Sequence, residues 1–260
     1  MLSARRLTTL SNRLPGRAGT LAAVVFVLAS CNAVKEERRQ CPCILSVEME
    51  GLPAYPAALY VNDSLAGEAR RDTTLQLWVE KGGNASLVAV SGARPSEDLT
   101  VRIPYGRQAP PLYGYRDVAD CTADYARARV SMNRHFCTLS VRFTGPPGWG
   151  APLSVALRGS VNGFSLRDGE PLEGEFYCRL DGTSSCRVPR HRPGDPLWMD
   201  IVLEDNVLRS FPLGTYLEQA GFDWTAPDLP DQAVDVDVSV SSIRFQTGGW
   251  SQVENLEIVI

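Results

Sequence analysis

Alternation of apolar and polar residues with a period of two runs through the chain from residue 44 onward, and it constrains the fold most strongly. In the first run Leu45, Val47 and Met49 alternate with polar residues, which is typical of a half-buried strand. Only residues 214–220 carry a helical pattern, and it is short. The sequence therefore predicts an all-β protein, with further strands at residues 58–61, 75–80, 85–90, 99–103, 127–132, 137–143, 153–158, 175–180, 186–189, 197–203, 207–211, 234–240 and 256–260.

Turn signals divide these strands into two groups. A Lys-Gly-Gly-Asn segment at 81–84 predicts a hairpin between its flanking strands, and Asp205-Asn206 predicts a second, tighter hairpin. Residues 104–121 are rich in proline and tyrosine and are predicted to be irregular. A Gly-Pro-Pro-Gly segment at 145–148 interrupts the pattern, so we place the domain boundary there. We expect a β-sandwich at residues 43–145 and a second β-sandwich at residues 149–260.

The N-terminal segment has the order of an export signal. Four arginines and no acidic residue come first, and an apolar run at 21–28 leads into Leu28, Ala29, Ser30 and Cys31. This resembles a bacterial lipobox, which predicts a signal peptide at residues 1–30 and a fatty-acylated (palmitate-bearing) Cys31. The alternatives are an ordinary secretory signal or a membrane anchor, but a spanning helix needs roughly 20 apolar residues. Charged residues then predict a flexible lipidated tether at residues 31–42.

Composition excludes several function classes. All 30 acidic residues follow residue 31 whereas four of the 26 basic residues precede it, so the mature chain is acidic and unsuited to bind nucleic acid. No nucleophile elbow, phosphate loop, dinucleotide fingerprint or zinc-protease motif is present. Of the only two histidines, His135 is predicted at a hairpin tip and His191 in a solvated turn. Asp235 and Asp237 alternate with valines and are interpreted as lying on the solvent-exposed face of a strand. We therefore predict neither an enzyme nor a cofactor or metal site.

Six cysteines remain once Cys31 is assigned to lipid, and an even number in an exported chain favours disulfides. Cys178 and Cys186 flank an Asp-Gly turn and are predicted to bond across a hairpin centred on Gly182. The remaining pairing stays open: Cys41 and Cys43 are too close to bond each other comfortably, so each is expected to reach Cys121 or Cys137. The alternative is that Cys43 and Cys137 are buried free thiols.

Five tryptophans offer a different function, because exposed indole rings can stack on sugars. Two of them lie in predicted strands, where large rings usually fill cores or edges. A surface lipoprotein that binds glycan for polysaccharide uptake is therefore the alternative function. The tryptophans are Trp78, Trp149, Trp198, Trp224 and Trp250.

Several segments together resemble the fimbrillin-associated anchor lipoproteins of type V pili, over essentially the whole mature chain. The first part is the charged tether, with the Lys-Glu-Glu-Arg segment at 35–38 and the Cys-Pro-Cys segment at 41–43 running into a strand. The second part comprises residues 212–217, 221–224 and 228–231, followed by Trp250 and a terminal strand. The Tyr- and Pro-rich residues 104–121 depart from the family pattern.

The resemblance implies two transthyretin-like, Greek-key sandwiches and a location on the cell surface at the outer membrane. It also implies a role in adhesion, in which the protein holds a fimbrial shaft subunit of the fimbrillin type to the membrane through its lipid. Shaft subunits of such pili resemble this protein in fold and are cut by an arginine-specific protease that frees their first strand. The groove left behind accepts a strand from a neighbouring subunit.

This chain departs from a shaft subunit in two respects. No lysine or arginine lies between Gln40 and Ala69, so the loop after the first strand has no basic cleavage site, and the first one available is Arg70-Arg71. We expect the first strand to stay in its own domain and the chain to end a polymer. The last strand, with Leu256, Ile258 and Ile260 on one face, either pairs internally or is donated to the adjoining subunit.

Overall fold

The computed structural model describes residues 41–144, 153–181, 184–203, 205–238, 242–247 and 249–255. The first half of the chain forms nine strands, which are β1 (Cys43–Met49), β2 (Ala57–Val61), β3 (Ser64–Ala69), β4 (Thr73–Val79), β5 (Asn84–Ser91), β6 (Thr100–Arg102), β7 (Tyr113–Asp120), β8 (Tyr125–Val130) and β9 (Asn133–Arg134). The second half forms β10 (Phe136–Thr144), β11 (Leu153–Ser165), β12 (Glu170–Asp181), β13 (Ser184–Pro189), β14 (Leu197–Leu203), β15 (Asn206–Phe211), helix α1 (Leu213–Gln219), β16 (Gln232–Val238), β17 (Ser242–Thr247) and β18 (Trp250–Asn255).

The strands form four sheets that pack as two β-sandwiches, which confirms the predicted all-β fold. Sheet A has the order β4-β1-β8 and sheet B the order β3-β2-β5-β7-β9. Between them lies a buried core that includes Leu45, Val47, Leu59 and Leu87. Sheet C has the order β12-β11-β14-β15 and sheet D the order β13-β10-β16-β17-β18. Their core is larger and includes Phe176, Met199, Ile201 and Phe211.

The two sandwiches repeat one topology. In sheet A the central strand β1 pairs antiparallel with β4 and parallel with β8. In sheet D the central strand β10 pairs antiparallel with β13 and parallel with β16 in the same way. The facing sheets also correspond, because β2 lies between β3 and β5 as β11 lies between β12 and β14. The halves therefore share an architecture that their sequences do not reveal.

A third buried cluster joins the sandwiches into one compact unit. The segment after β5 crosses to the second half, where β6 pairs antiparallel with β11 in sheet C. Val88 and Val90 from sheet B, Leu99 and Val101 around β6, and Phe164 from β11 bury one another at this junction. Contacts of this kind make residues 42–260 a single compact body.

Three sequence-based expectations need correction. The hairpin expected at residues 81–84 is wrong, because β4 pairs with β1 in sheet A whereas β5 pairs with β2 and β7 in sheet B. The connection crosses from one sheet to the other. Residues 137–143, assigned to the first sandwich, lie in β10 of sheet D, so the change of sandwich comes before β10 and not at residue 145. Part of the segment expected to be irregular forms β7, which pairs with β5 along its whole length.

The hairpin predicted at Asp205-Asn206 is confirmed, with β14 and β15 antiparallel around an Asp205 in the left-handed region at φ 70°. The predicted short helix is also present as α1, and it buries Leu213, Tyr216 and Leu217. Across the described part of the chain, no helix combines the length and the hydropathy of a membrane span.

Candidate functional site

A vacant groove in the first sandwich would require strand β1 to be missing from the centre of sheet A. Strand β1 is hydrogen-bonded on both sides, with seven residue pairs to β4 and six to β8. Its inward side chains Leu45, Val47 and Met49 are fully buried. Burial of three such side chains stabilises by roughly 5–8 kcal/mol before the cost of ordering the strand. The strand is thus an integral part of the core, and the sheet has no gap at its centre.

The first basic residues that follow β1 in the sequence lie beyond two further strands. Arg70 and Arg71 are exposed in the turn between β3 and β4. A cut there would separate β1 together with β2 and β3, and β2 is paired with β5 in sheet B. The loop of residues 50–56 that follows β1 contains no basic residue. Its exposed Ala54 is therefore a position where an arginine can be introduced.

The cysteines form two separate groups. Cys43 and Cys121 are buried in the core of the first sandwich, and burial followed by a side-chain hydrogen bond with Cys43 raises the pKa of Cys121 to about 11. Cys137, Cys178 and Cys186 are buried in the core of the second sandwich. Burial raises the pKa of Cys137 to about 12. Cys43 and Cys137 lie in the cores of different sandwiches, so a disulfide between them would require the two cores to come into contact. Cys41 is exposed.

Cys178 and Cys186 are neighbours, but their geometry differs from the prediction. Cys178 lies on β12 in sheet C and Cys186 on β13 in sheet D, so they do not face each other across a hairpin. Their sulfur atoms approach to 3.1 Å across the core, and both are free thiols here. A disulfide has an S–S length of about 2.05 Å. The disulfide between them stays a prediction, and it requires the two sulfur atoms to move only slightly closer together.

His191 is buried and His135 is half-buried, contrary to the expected solvated turn and hairpin tip. His191 is 1% exposed, and burial lowers its pKa to about 4. His135 stacks on Phe164 with ring centroids 4.0 Å apart. Burial and the neighbouring Arg190 lower the pKa of His135 to about 3. Both rings are neutral at physiological pH and serve as packing elements of the junction and the second sandwich.

Arg190 holds the surroundings of His135 together through hydrogen bonds. Its Nε donates to His135 Nδ1 at 3.1 Å, and its two terminal nitrogens donate to four backbone carbonyls. All five guanidinium donors are therefore used. The carbonyl acceptors belong to Arg134, Trp224, Ala226 and Pro227. The side chain fastens the loop before β16 onto the connection between the sandwiches.

A cleft of about 460 Å³ opens beside this network and is lined by Asn133, His135, Glu170, Arg192, Trp224 and Thr225. Within the residues described, no three His, Cys, Asp or Glu side chains lie close enough to hold a metal ion. Asp235 and Asp237 lie on the outer face of β16, and Asp235 pairs with Arg142 at 3.7 Å.

The tryptophans fall in contrasting environments. Trp224 is 2% exposed, and Trp250 is half-buried against Tyr216, with ring centroids 4.9 Å apart. Trp198 is 38% exposed on β14. Trp78 is 73% exposed on β4, an edge strand of sheet A, so its ring does not fill a core. The signal was present in the sequence, because Trp78 shares a face with Thr74 and Gln76 while Leu75 and Leu77 point inward.

Trp78 belongs to a row across the outer face of sheet A. Ile44 on the central strand lies opposite Trp78 on one side and opposite Tyr125 on the other. Tyr125 is 44% exposed. The adjacent row consists of Gln76, Ser46 and Arg127.

Some predicted site residues lie outside the described residues. These are the lipobox residues Leu28, Ala29 and Ser30, the lipidation site Cys31, and the residues proposed for strand donation, Leu256, Ile258 and Ile260. The structure adds β17 and β18, which the sequence did not predict, as an antiparallel hairpin beyond β16 in sheet D.

No protein-family model and no curated protein matches the chain. Solved structures share its fold at low sequence identity. The fimbrial anchor protein Mfa2 from Porphyromonas gingivalis superposes with a TM-score of 0.60 at 12% identity, covering 81% of this chain and 99% of Mfa2. A proposed polysaccharide binding protein from Bacteroides thetaiotaomicron VPI-5482 gives 0.56 at 11% identity, covering 83% and 99%. A proposed adhesin from Bacteroides ovatus gives 0.56 at 12% identity, covering 84% and 96%. This likeness establishes the shared two-sandwich fold.

Proposed function

We propose that the protein is the anchoring subunit of a fimbrium, held in the outer membrane by lipid on Cys31 and joined to the first shaft subunit at its other end. The observation that carries this proposal is the position of β1, which fills the centre of sheet A and is paired on both sides. A subunit that keeps this strand offers no groove there to a neighbouring strand. It therefore ends a chain of subunits instead of extending it.

Two further features support the proposal. The fold is that of the Porphyromonas gingivalis fimbrial anchor protein Mfa2 over 81% of this chain. The sequence before the fold resembles a lipobox followed by a charged tether, an arrangement that suits a body held at a membrane surface. One acyl chain binds a membrane only marginally, whereas two or more give stable anchoring. A multiply acylated Cys31 would thus resist the load on an attached filament.

The joint to the shaft is proposed to use residues 256–260, which follow directly after β18. Donation of this segment would supply a full ladder of main-chain hydrogen bonds and bury Leu256, Ile258 and Ile260 in the neighbouring subunit. Such a joint resists pulling because its hydrogen bonds must break together. Deletion of residues 256–260 is expected to leave the protein in the membrane while the fimbriae detach.

Replacement of Cys31 by alanine in the native cell tests the membrane end. The variant is expected to release fimbriae into the culture medium, together with the unlipidated protein, because nothing then ties the body to the bilayer. The matched control is Cys41→Ala, which removes an exposed thiol near the fold but leaves the lipid site intact. Fimbriae that stay attached to Cys31→Ala cells would contradict the proposal.

A further inference from the structure

The outer face of sheet A carries a row of apolar side chains that the fold itself does not require. The corresponding face of sheet D has the same strand arrangement, yet its rows are polar. There the exposed Ser140 of β10 lies between Ser185 and Ala233. In sheet A the equivalent central strand places Ile44 between Trp78 and Tyr125. The repeated topology therefore acts as an internal control and marks the aromatic row as a feature of sheet A that sheet D lacks.

We propose that this row, which we name the Trp78 row (Trp78, Ile44 and Tyr125), binds a saccharide chain. Trp78 and Tyr125 flank the same residue of the central strand, so they lie two strand spacings apart, about 10 Å. Both side chains project from one sheet face, on which outward residues of neighbouring strands stand side by side. Two aromatic groups at this separation can pack against successive apolar faces of sugar rings.

Polar groups for the sugar hydroxyls lie directly beside the aromatic row. The adjacent row across the sheet comprises the exposed side chains of Gln76 and Arg127 on either side of Ser46. The Arg127 Nε donates to the Tyr125 hydroxyl at 3.4 Å, and its guanidinium carbon lies 5.4 Å from the ring centroid. These contacts fix the orientation of the Tyr125 ring before any ligand arrives. A planar amide and a guanidinium are suited to bind pairs of neighbouring hydroxyls.

The area of the row favours a saccharide over a protein as its occupant. An aromatic side chain buries about 150–250 Å² when fully covered, so the Trp78 row offers a few hundred Å². A stable protein interface buries roughly 800 Å² on each partner. The residues around the row are charged or polar, with Arg129 within 4 Å of Glu48 and Glu50. A short apolar strip within a polar surface matches a ligand that is apolar on its ring faces and polar at its edges.

This inference adds a binding activity to the proposed anchor and does not depend on the anchoring role. The test is affinity electrophoresis of the full mature lipoprotein in detergent, through gels that contain yeast mannan, barley β-glucan or polygalacturonate. Retardation is expected in at least one gel. Trp78→Ala is expected to weaken that binding about tenfold, which corresponds to 1.4 kcal/mol. Its melting temperature should be unchanged because the ring is 73% exposed.

Trp198→Ala is the matched control, since it removes a partly exposed tryptophan from the other sandwich. Migration of this variant should equal that of the native protein in every gel. Absence of retardation in all three gels overturns the inference, as does equal binding by Trp78→Ala. Conversion of a dimer to a monomer by Trp78→Ala in sedimentation would assign the row to a second copy of the chain and also overturn it. Cells that carry Trp78→Ala should keep their fimbriae attached, which separates this activity from the anchoring role.

Discussion

Sheets A and D are built on the same plan but differ at their edges and on their outer faces. In both, a central strand pairs antiparallel with one neighbour and parallel with the other. Sheet D continues past its parallel strand into the β17–β18 hairpin, whereas no described strand extends sheet A beyond β8. Sheet A carries the Trp78 row on the outside, and sheet D carries serines and an Arg142–Asp235 ion pair. One topology thus fixes the inner faces and leaves the outer faces free for different tasks.

The strongest test of the comparison concerns the two central strands. Val47 in β1 and Val141 in β10 hold equivalent buried positions, at 0% and 1% exposure. Replacement of either by aspartate should destabilise its sandwich by about 4 kcal/mol or more, because an unpaired charge would enter a core. Urea unfolding measures this loss, and Glu48→Gln on the outer face of β1 serves as the control. A mild effect of Val47→Asp alone would mean that β1 is dispensable where β10 is not.

A second prediction concerns Arg190, for which the first sandwich has no described counterpart. Replacement by methionine leaves four backbone carbonyls, which are buried or partly buried, without these donors. We expect a loss of about 1–3 kcal/mol or more in the free energy of unfolding, because buried acceptors are left unsatisfied. Arg192→Met is the matched control, since Arg192 is partly exposed and forms long ion pairs with Glu170 and Glu173. Equal stability losses for the two variants would remove the special role of Arg190.

The third prediction is a pH dependence that belongs to the junction and the second sandwich. Unfolded histidines titrate near pH 6.5, whereas folded His191 titrates near 4 and His135 near 3. The unfolded state therefore binds more protons between these values, and the free energy of unfolding falls as the pH drops from 6.5 to 4. For His191 the loss amounts to about 3 kcal/mol. The variant His191→Phe should show a shallower fall in urea unfolding at pH 7, 5.5 and 4.5, and an unchanged slope would contradict the prediction.

The smallest effect is expected where the two sheets carry similar surface ion pairs. Arg129 contacts Glu48 and Glu50 on sheet A, and Arg142 contacts Asp235 on sheet D, with both arginines largely exposed. Exposed pairs of this kind contribute less than about 1 kcal/mol. Arg129→Ala and Arg142→Ala should therefore unfold within that margin of the native protein. A larger loss for only one of them would mean that its sheet face is more tightly ordered than that of the other.

The sequence predicts those features that depend on local pattern. The alternation around Val47 and Val141 locates both central strands, and Asp205-Asn206 locates a hairpin. Each of these features depends on residues that are neighbours in the sequence. The Lys-Gly-Gly-Asn segment misleads, since a turn sequence does not say whether the chain folds back within a sheet or crosses to the facing one. β7 escapes detection because its glycine and two aspartates weaken the alternation, and pairing with β5 along its length overrides that weakness.

In the candidate site, too, the sequence predicts features that depend on nearby residues and misses features that depend on distant ones. Sequence spacing brings Cys178 and Cys186 together correctly but assigns them to a hairpin instead of two facing sheets. The surroundings of His191 are arginine and proline, which suggested solvent, whereas burial comes from Trp224, which is 33 positions away and packs with its ring 5.0 Å from the imidazole. Burial by a residue this far away in the sequence cannot be recognised from the residues next to His191. Trp78 did carry a signal, because it falls on the polar face of its strand.

The central claim is that the mature protein keeps its first strand. Cells that display the native protein are treated with an arginine-specific protease, and the folded body is purified and its N-terminus is read by mass spectrometry. The account predicts that residues 43–49 remain in the body. In Ala54→Arg cells, which present an arginine in the exposed loop after β1, cleavage at residue 54 should occur, while Ala54→Gln cells behave as native. A native body that begins after residue 50, or after Arg71, would contradict the account.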